Sequence, residues 1–169
     1  MNLGIHSLPN NGTTNEWLTP PEILKALGTF DLDPCVHPQQ PWRTAVRMIA
    51  PPEDGLAAEW TGRVFLNPPY GQQIAVWLKK LVEHGNGIAL VPSRTEVESW
   101  FWPYIWLKAD AIFFFRGRLF FRQPDGSKRG NAGHGSVLVA YGQRNVDAIV
   151  SSGLLGRIVY LDNRNVNDY

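Results

Sequence analysis

The stretch Val64-Phe65-Leu66-Asn67-Pro68-Pro69-Tyr70-Gly71 (VFLNPPYG) sets an apolar run against an abrupt stop. Val, Phe and Leu suit a buried strand, read here as Arg63 to Leu66. Pro68 has no N–H with which to continue a ladder, so the strand must end before it. Downstream, Ile74, Trp77, Leu78 and Leu81 recur at helical spacing until Gly85. "GIALVP" (87–92) then runs apolar without interruption, as a strand buried on both faces does. Strand, helix and buried strand in this order predict a βαβ unit in a parallel sheet.

Upstream, Thr19 is read as an N-cap, with Pro20 and Pro21 in the first helical turn and Gly28 at the end. "FDLDPC" (Phe30 to Cys35) reads as a short strand stopped by Pro34. Residues 36–60 read as mostly loop, with one small strand near Val46 to Ala50. Downstream, "TEVESWFWPYIWLKA" (95–109) reads as a helix kinked at Pro103. "DAIFFFRG" and "RLFFR" read as strands, Gln123 to Gly135 as a polar, glycine-rich loop, and "SVLVAYG" as a strand. A short helix from Asn145 and a last strand, "GRIVYL", complete the chain. The late strands lie close enough in sequence to pair antiparallel. Ligands of such sheets bind beyond the carboxyl ends of the strands, where both "FDLDPC" and "VFLNPPY" place polar residues.

The 169 residues suit one domain, 15–169, preceded by a flexible arm, 1–14. A net charge of +1 confines any nucleic-acid contact to a local patch. The single Cys35 excludes an intramolecular disulfide and a cysteine-rich zinc site. His37, His84 and His134 lack metal-ligand spacing, so no metal is expected. With 7 Trp, some indoles are expected to face a ligand or partner, although Trp100, Phe101 and Trp102 read mainly as helix packing. No apolar run reaches membrane-spanning length and the N-terminus lacks the apolar core of a signal peptide. The expectation is a cytoplasmic protein with no membrane partner.

Asparagine, a proline carbonyl and an aromatic ring at a strand end suit one kind of chemistry. The lone pair of an aromatic amino group, such as N6 of adenine, is delocalised into its ring. Two acceptors, Asn67 Oδ1 and the Pro68 carbonyl, can take its two N–H bonds and aim the lone pair at an electrophile. Pro68 and Pro69 preset the carbonyl, and Tyr70 can stack on the base. The bland alternative is a proline turn with Asn67 bonded to local backbone.

"NPPY" resembles the catalytic motif of S-adenosylmethionine-dependent amino-methyltransferases. In order along the chain, "WLTPPEI", "FDLDPC", "DGLAAEW", "VFLNPPYG", "LVPSRTEVESWF" and "FRGRLFF" resemble the phage-type DNA N6-adenine methyltransferases, the phage Dam-like family, from about Trp17 to Tyr141. The resemblance implies an α/β fold: an abbreviated Rossmann-like methyltransferase sheet with flanking helices, in a bacterial host cell. It implies catalysis by Asn67, Pro68, Pro69 and Tyr70 on a flipped-out adenine of double-stranded DNA. It implies S-adenosylmethionine held by Trp17, Thr19 and Pro20, and by Asp31 or Asp33 beside Pro34. Two apart on a strand, these aspartates are expected to share a face.

The chain departs from that pattern in one place. Methyltransferases commonly follow the aspartate with a glycine-rich loop, whereas here "DPCVHPQQPW" has no glycine. Glu53 and Asp54 are weaker candidates for the ribose hydroxyls. DNA contacts are expected from Arg94, Arg116, Arg118, Arg122, Lys128 and Arg129, the last two in a loop that orders on DNA. Cytosine N4, RNA adenine and protein glutamine share the planar nitrogen, and a nucleic-acid-binding module without activity is the alternative from another class. No feature of the sequence assigns an oligomeric state or a recognition sequence.

Overall fold

A computed structural model describes residues 18–131 and 133–162. The arm 1–14 and Trp17 lie outside them. The chain order is α1 (Pro21–Leu27), β1 (Leu32–Asp33), β2 (Arg47–Met48), β3 (Val64–Leu66), α2 (Ile74–His84), β4 (Gly87–Pro92), a π-helical turn (Trp102–Trp106), β5 (Ala111–Phe115), β6 (Phe120–Arg122), β7 (Lys128–Asn131), β8 (Ser136–Tyr141), α3 (Gln143–Ser151) and β9 (Gly156–Tyr160). Seven strands form one sheet in the order β2-β1-β3-β4-β8-β5-β9, and β6 and β7 form a separate hairpin. The β2-β1-β3-β4 half is parallel. β8 runs antiparallel to both neighbours, and β9 is antiparallel to β5. The expected α/β sheet with antiparallel late strands is therefore present.

Alternation along the strands gives the sheet two covered faces. Val64, Leu66, Ala89 and Val91 pack under α2 with Trp77, Leu78 and Leu81. Phe65, Ile88 and Leu90 face the other way, against Leu24 and Leu27 of α1 and Val146 and Ile149 of α3. The fold is thus three layers, helix, sheet and helix. β4 and β5 both run antiparallel to β8, so they point the same way as β1 and β3. The residues after Asp33, Leu66, Pro92 and Phe115 therefore emerge along one edge of the sheet.

Several local expectations are corrected. Thr19 is not the N-cap: Pro20 takes that place, with no side-chain cap bond. β1 spans two residues, not Phe30 to Cys35. Asp31 precedes the strand, so the alternation rule does not apply to it, and it does not share Asp33's surroundings. The long helix over 95–109 is cut to a short π-helical turn. Pro103 has no N–H to donate, and the ladder widens so that Leu107 N donates to Trp102 O at 3.2 Å. Part of the glycine-rich loop is strand β7, which pairs with β6 across a tight turn in which Gly126 has φ 80°.

Candidate active site

Beyond the carboxyl ends of β1 and β3 lies a cavity of about 430 Å3. That lies within the usual range for small-molecule sites, about 300–1,000 Å3. Thr19, Asp33 and Pro34 line one part of its wall, Asn67, Pro68 and Pro69 another, and Glu53, Asp54, Gly55 and Trp77 a third. Three stretches singled out in the sequence thus meet in one place.

Asn67 follows β3 directly, and its carboxamide is oriented by Thr19. Asn67 Nδ2 donates to Thr19 Oγ1 at 3.1 Å, which turns Oδ1 to the other side of the group. Thr19 is buried, and its carbonyl accepts from Trp42 Nε1 at 3.2 Å. The Asn67 main chain is also held, accepting a bond from Cys35 Sγ at 3.4 Å. Burial and the neighbouring Asp33 charge push the Cys35 thiol up, so it stays protonated. Tyr70 is half-buried, its ring 6.4 Å from Phe121 and 5.5 Å from His134, centroid to centroid. Burial raises its phenol, which stays neutral.

The two aspartates separate. Asp33 is buried at the strand end, where Oδ2 accepts from Thr44 Oγ1 at 2.6 Å and Oδ1 from Cys35 N at 3.1 Å. Burial outweighs these two bonds and raises its carboxyl to about 6. Asp31 is exposed and accepts from Arg63 N at 2.6 Å. It does not line the cavity. Nor does Pro20, the α1 N-cap. Glu53 pairs with Arg47 at 2.7 Å, and Asp54 caps the next turn through Leu56 N at 2.8 Å.

No glycine follows Asp33, but one from a distant segment stands against the end of β1. A Cβ at Gly55 would stand 1.7 Å from the Pro34 carbonyl oxygen and 3.1 Å from the Trp77 ring. Only glycine lets the chain cross the end of β1 that closely. The sequence reading missed this role, and "DGLAAEW" was the one available signal. It also passed over Thr44, Gln40 and Trp77 in the cavity wall, and His134 against Tyr70. The lining suits S-adenosylmethionine: among its described residues are three carboxylates, Asp33, Glu53 and Asp54, and no Lys or Arg. With Glu53 paired to Arg47, the charge left on Asp33 and Asp54 fits a ligand of net positive charge with a sulfonium, an ammonium and one carboxylate group.

The basic candidates divide by position. Arg94 follows β4, and Arg116 and Arg118 follow β5; all three are exposed at the edge that carries Asn67. Lys128 on β7 is exposed and lies opposite Arg122 on β6. Arg122 itself is engaged: it pairs with Glu22 of α1 at 2.7 Å, and its backbone N donates to Leu18 O at 3.0 Å. These bonds fasten the hairpin to α1. Burial alone would raise the Glu22 carboxyl, but its own backbone N–H, Arg122 and the charge of Lys128 outweigh that and hold it low. The Arg129 side chain lies outside what the structure describes. Trp100 and Phe101 are buried as expected, whereas Trp102 is 46 % exposed, beyond simple packing.

Among the described residues no group of His, Cys, Asp and Glu could hold a metal ion, and no helix is long and apolar enough to cross a membrane. No curated protein and no solved structure matches the chain. The model of the DNA N-6-adenine-methyltransferase (Dam) family matches residues 7–153, most of the chain, and the chain belongs to that family of DNA-methylating enzymes.

Proposed function

We propose that the chain transfers a methyl group from S-adenosylmethionine to N6 of an adenine flipped out of double-stranded DNA, at Asn67-Pro68-Pro69-Tyr70. The observation that carries this is the shared cavity: Asn67, Pro68, Pro69 and the buried Asp33 line the same space. The cofactor supplies an electrophilic methyl on a positively charged sulfur. Asn67 Oδ1 and the Pro68 carbonyl accept the two N6–H bonds. They stabilise the positive charge that grows on nitrogen as the N–CH3 bond forms and the S–CH3 bond breaks. The proton then leaves a nitrogen made acidic by that charge. Thr19 acts through Asn67 as a positioning residue. Tyr70 supplies a ring for the base, itself steadied by Phe121 and His134. Flipping is needed because N6 is out of reach within the stack.

Asn67→Ala is expected to abolish transfer of labelled methyl to DNA while S-adenosylmethionine affinity stays near wild type. Wild-type turnover by Asn67→Ala would remove the assignment. Tyr70→Ala is expected to cost about tenfold to a hundredfold, the worth of one base–aromatic stack, and Tyr70→Phe much less.

A further inference from the structure

Two residues in the wall of the cavity each carry a buried hydrogen-bond donor with no protein partner. Trp77 is 7 % exposed and lines the cavity, yet its indole Nε1 makes no hydrogen bond. Gln40 lines the same cavity, and its buried Nε2 is likewise without one. The neighbouring indole gives the contrast. Trp60 stacks on Trp77 at 6.3 Å, and its Nε1 donates to the Gly55 carbonyl at 2.8 Å. Local backbone therefore satisfies one indole of the pair and leaves the other.

Buried polar groups are nearly always paired, so an exception calls for an explanation, and two in the lining of one cavity favour a bound ligand. An indole N–H only donates, so its missing partner is an acceptor. The described lining has three carboxylates and no Lys or Arg, which disfavours an anion. The carboxylate of S-adenosylmethionine is disfavoured beside these groups, which leaves the cofactor's neutral acceptors. The adenosine portion of S-adenosylmethionine carries them, as ring nitrogens and ribose oxygens.

We infer that Trp77 Nε1 and Gln40 Nε2 donate to neutral acceptors of the cofactor's adenosine. Together with Gly55 they do the work of the glycine-rich loop that this chain lacks. This rests on the cofactor reading above.

The test is calorimetric titration of S-adenosylmethionine into wild type, Trp77→Phe and Gln40→Leu, with a thermal melt of each empty protein. Phe keeps a ring against Trp60 and loses the N–H. Each substitution is expected to weaken S-adenosylmethionine about three- to tenfold, the worth of one hydrogen bond. Empty Trp77→Phe is expected to melt no lower than wild type, because it loses an unpaired donor. A residue that only packs would do the reverse, lowering the melt and sparing the affinity. Wild-type affinity in both variants overturns the inference and leaves the cofactor reading standing. Wild-type protein that binds no S-adenosylmethionine takes both down. Gln40→Leu keeps the inference testable should Trp77→Phe fail to fold.

Discussion

Asp33 carries the clearest pH signature at the site. Its carboxyl is raised from 3.8 to about 6 by burial, against the bonds from Thr44 and Cys35 N. The folded, empty protein therefore holds a proton that the unfolded chain has released. Stability is fully present below 3.8 and is lost as pH rises through about 6. A cationic cofactor prefers the ionised form, so binding draws the carboxyl back down. S-adenosylmethionine affinity is accordingly expected to rise with pH up to about 6 and level off above. Calorimetry near that pH in buffers of different ionisation enthalpy should register a released proton. Asp33→Asn is expected to flatten both profiles. An unchanged pH dependence of binding in Asp33→Asn would move the cation contact to Glu53 or Asp54. The place of "NPPY" just past a strand end was legible because it is fixed locally: two prolines stop the ladder wherever they stand. Thr19 illustrates the opposite case. Its bond to Asn67 spans 48 positions and is made by packing, so the sequence offered a capping role, which the structure gives to Pro20, and a cofactor contact, but not this bond.

The β6–β7 hairpin carries the contrast between fastening and contact. Arg122 and Lys128 are opposite one another, yet only Arg122 is tied down, to Glu22 and Leu18. Lys128→Ala is therefore expected to weaken DNA binding and lower its salt slope by about one unit, the share of one phosphate. It should leave S-adenosylmethionine affinity unchanged. Arg122→Ala should instead remove the tie to Glu22 of α1, keep the backbone bond to Leu18, and show mainly in the melt. The loss is modest, because exposed pairs contribute only about 0–1 kcal/mol and Glu22 is more than half exposed. Equal salt slopes for Lys128→Ala and wild type would leave Arg94, Arg116 and Arg118 as the DNA face. Secondary structure was legible where periodicity was strong. α2 and β4 stand where Ile74, Trp77, Leu78, Leu81 and "GIALVP" put them. β7 was not legible, because Lys128-Arg129-Gly130-Asn131 has neither apolar alternation nor β-branched residues. Its strand comes from its partner β6, whose Phe121 is buried against Tyr70.

One wall of the cavity is built by a crossing between distant segments. Asp33 and Pro34 end β1, yet the backbone passing over them comes from Gly55, after a loop through the edge strand β2. The bound on this crossing is steric. Gly55 does not have the positive φ that glycine alone favours, so substitution brings no conformational strain of its own. The obstacle is the Pro34 carbonyl, 1.7 Å from where a Cβ would stand, with Trp77 3.1 Å away. Neither can retreat freely. Pro34 is fixed by its ring and by the Asp33 turn, and Trp77 is stacked on Trp60. In Gly55→Ala the segment must lift off β1 instead. The Trp60 bond to the Gly55 carbonyl lifts with it, as do Glu53 and Asp54. Overpacking of this kind costs about 1–3 kcal/mol, so the melting temperature should fall measurably. The functional effect should be one-sided. S-adenosylmethionine affinity should fall by about tenfold or more, because both the carboxylates and the Trp77 wall are displaced. DNA affinity should hold, because Arg94, Arg116 and Arg118 follow β4 and β5 and Lys128 lies on the hairpin, away from the Pro34 and Trp77 atoms that a Cβ at Gly55 would meet. A Gly55→Ala protein that is folded and binds cofactor normally would show that the crossing is dispensable. The cofactor would then be held by the strand ends alone.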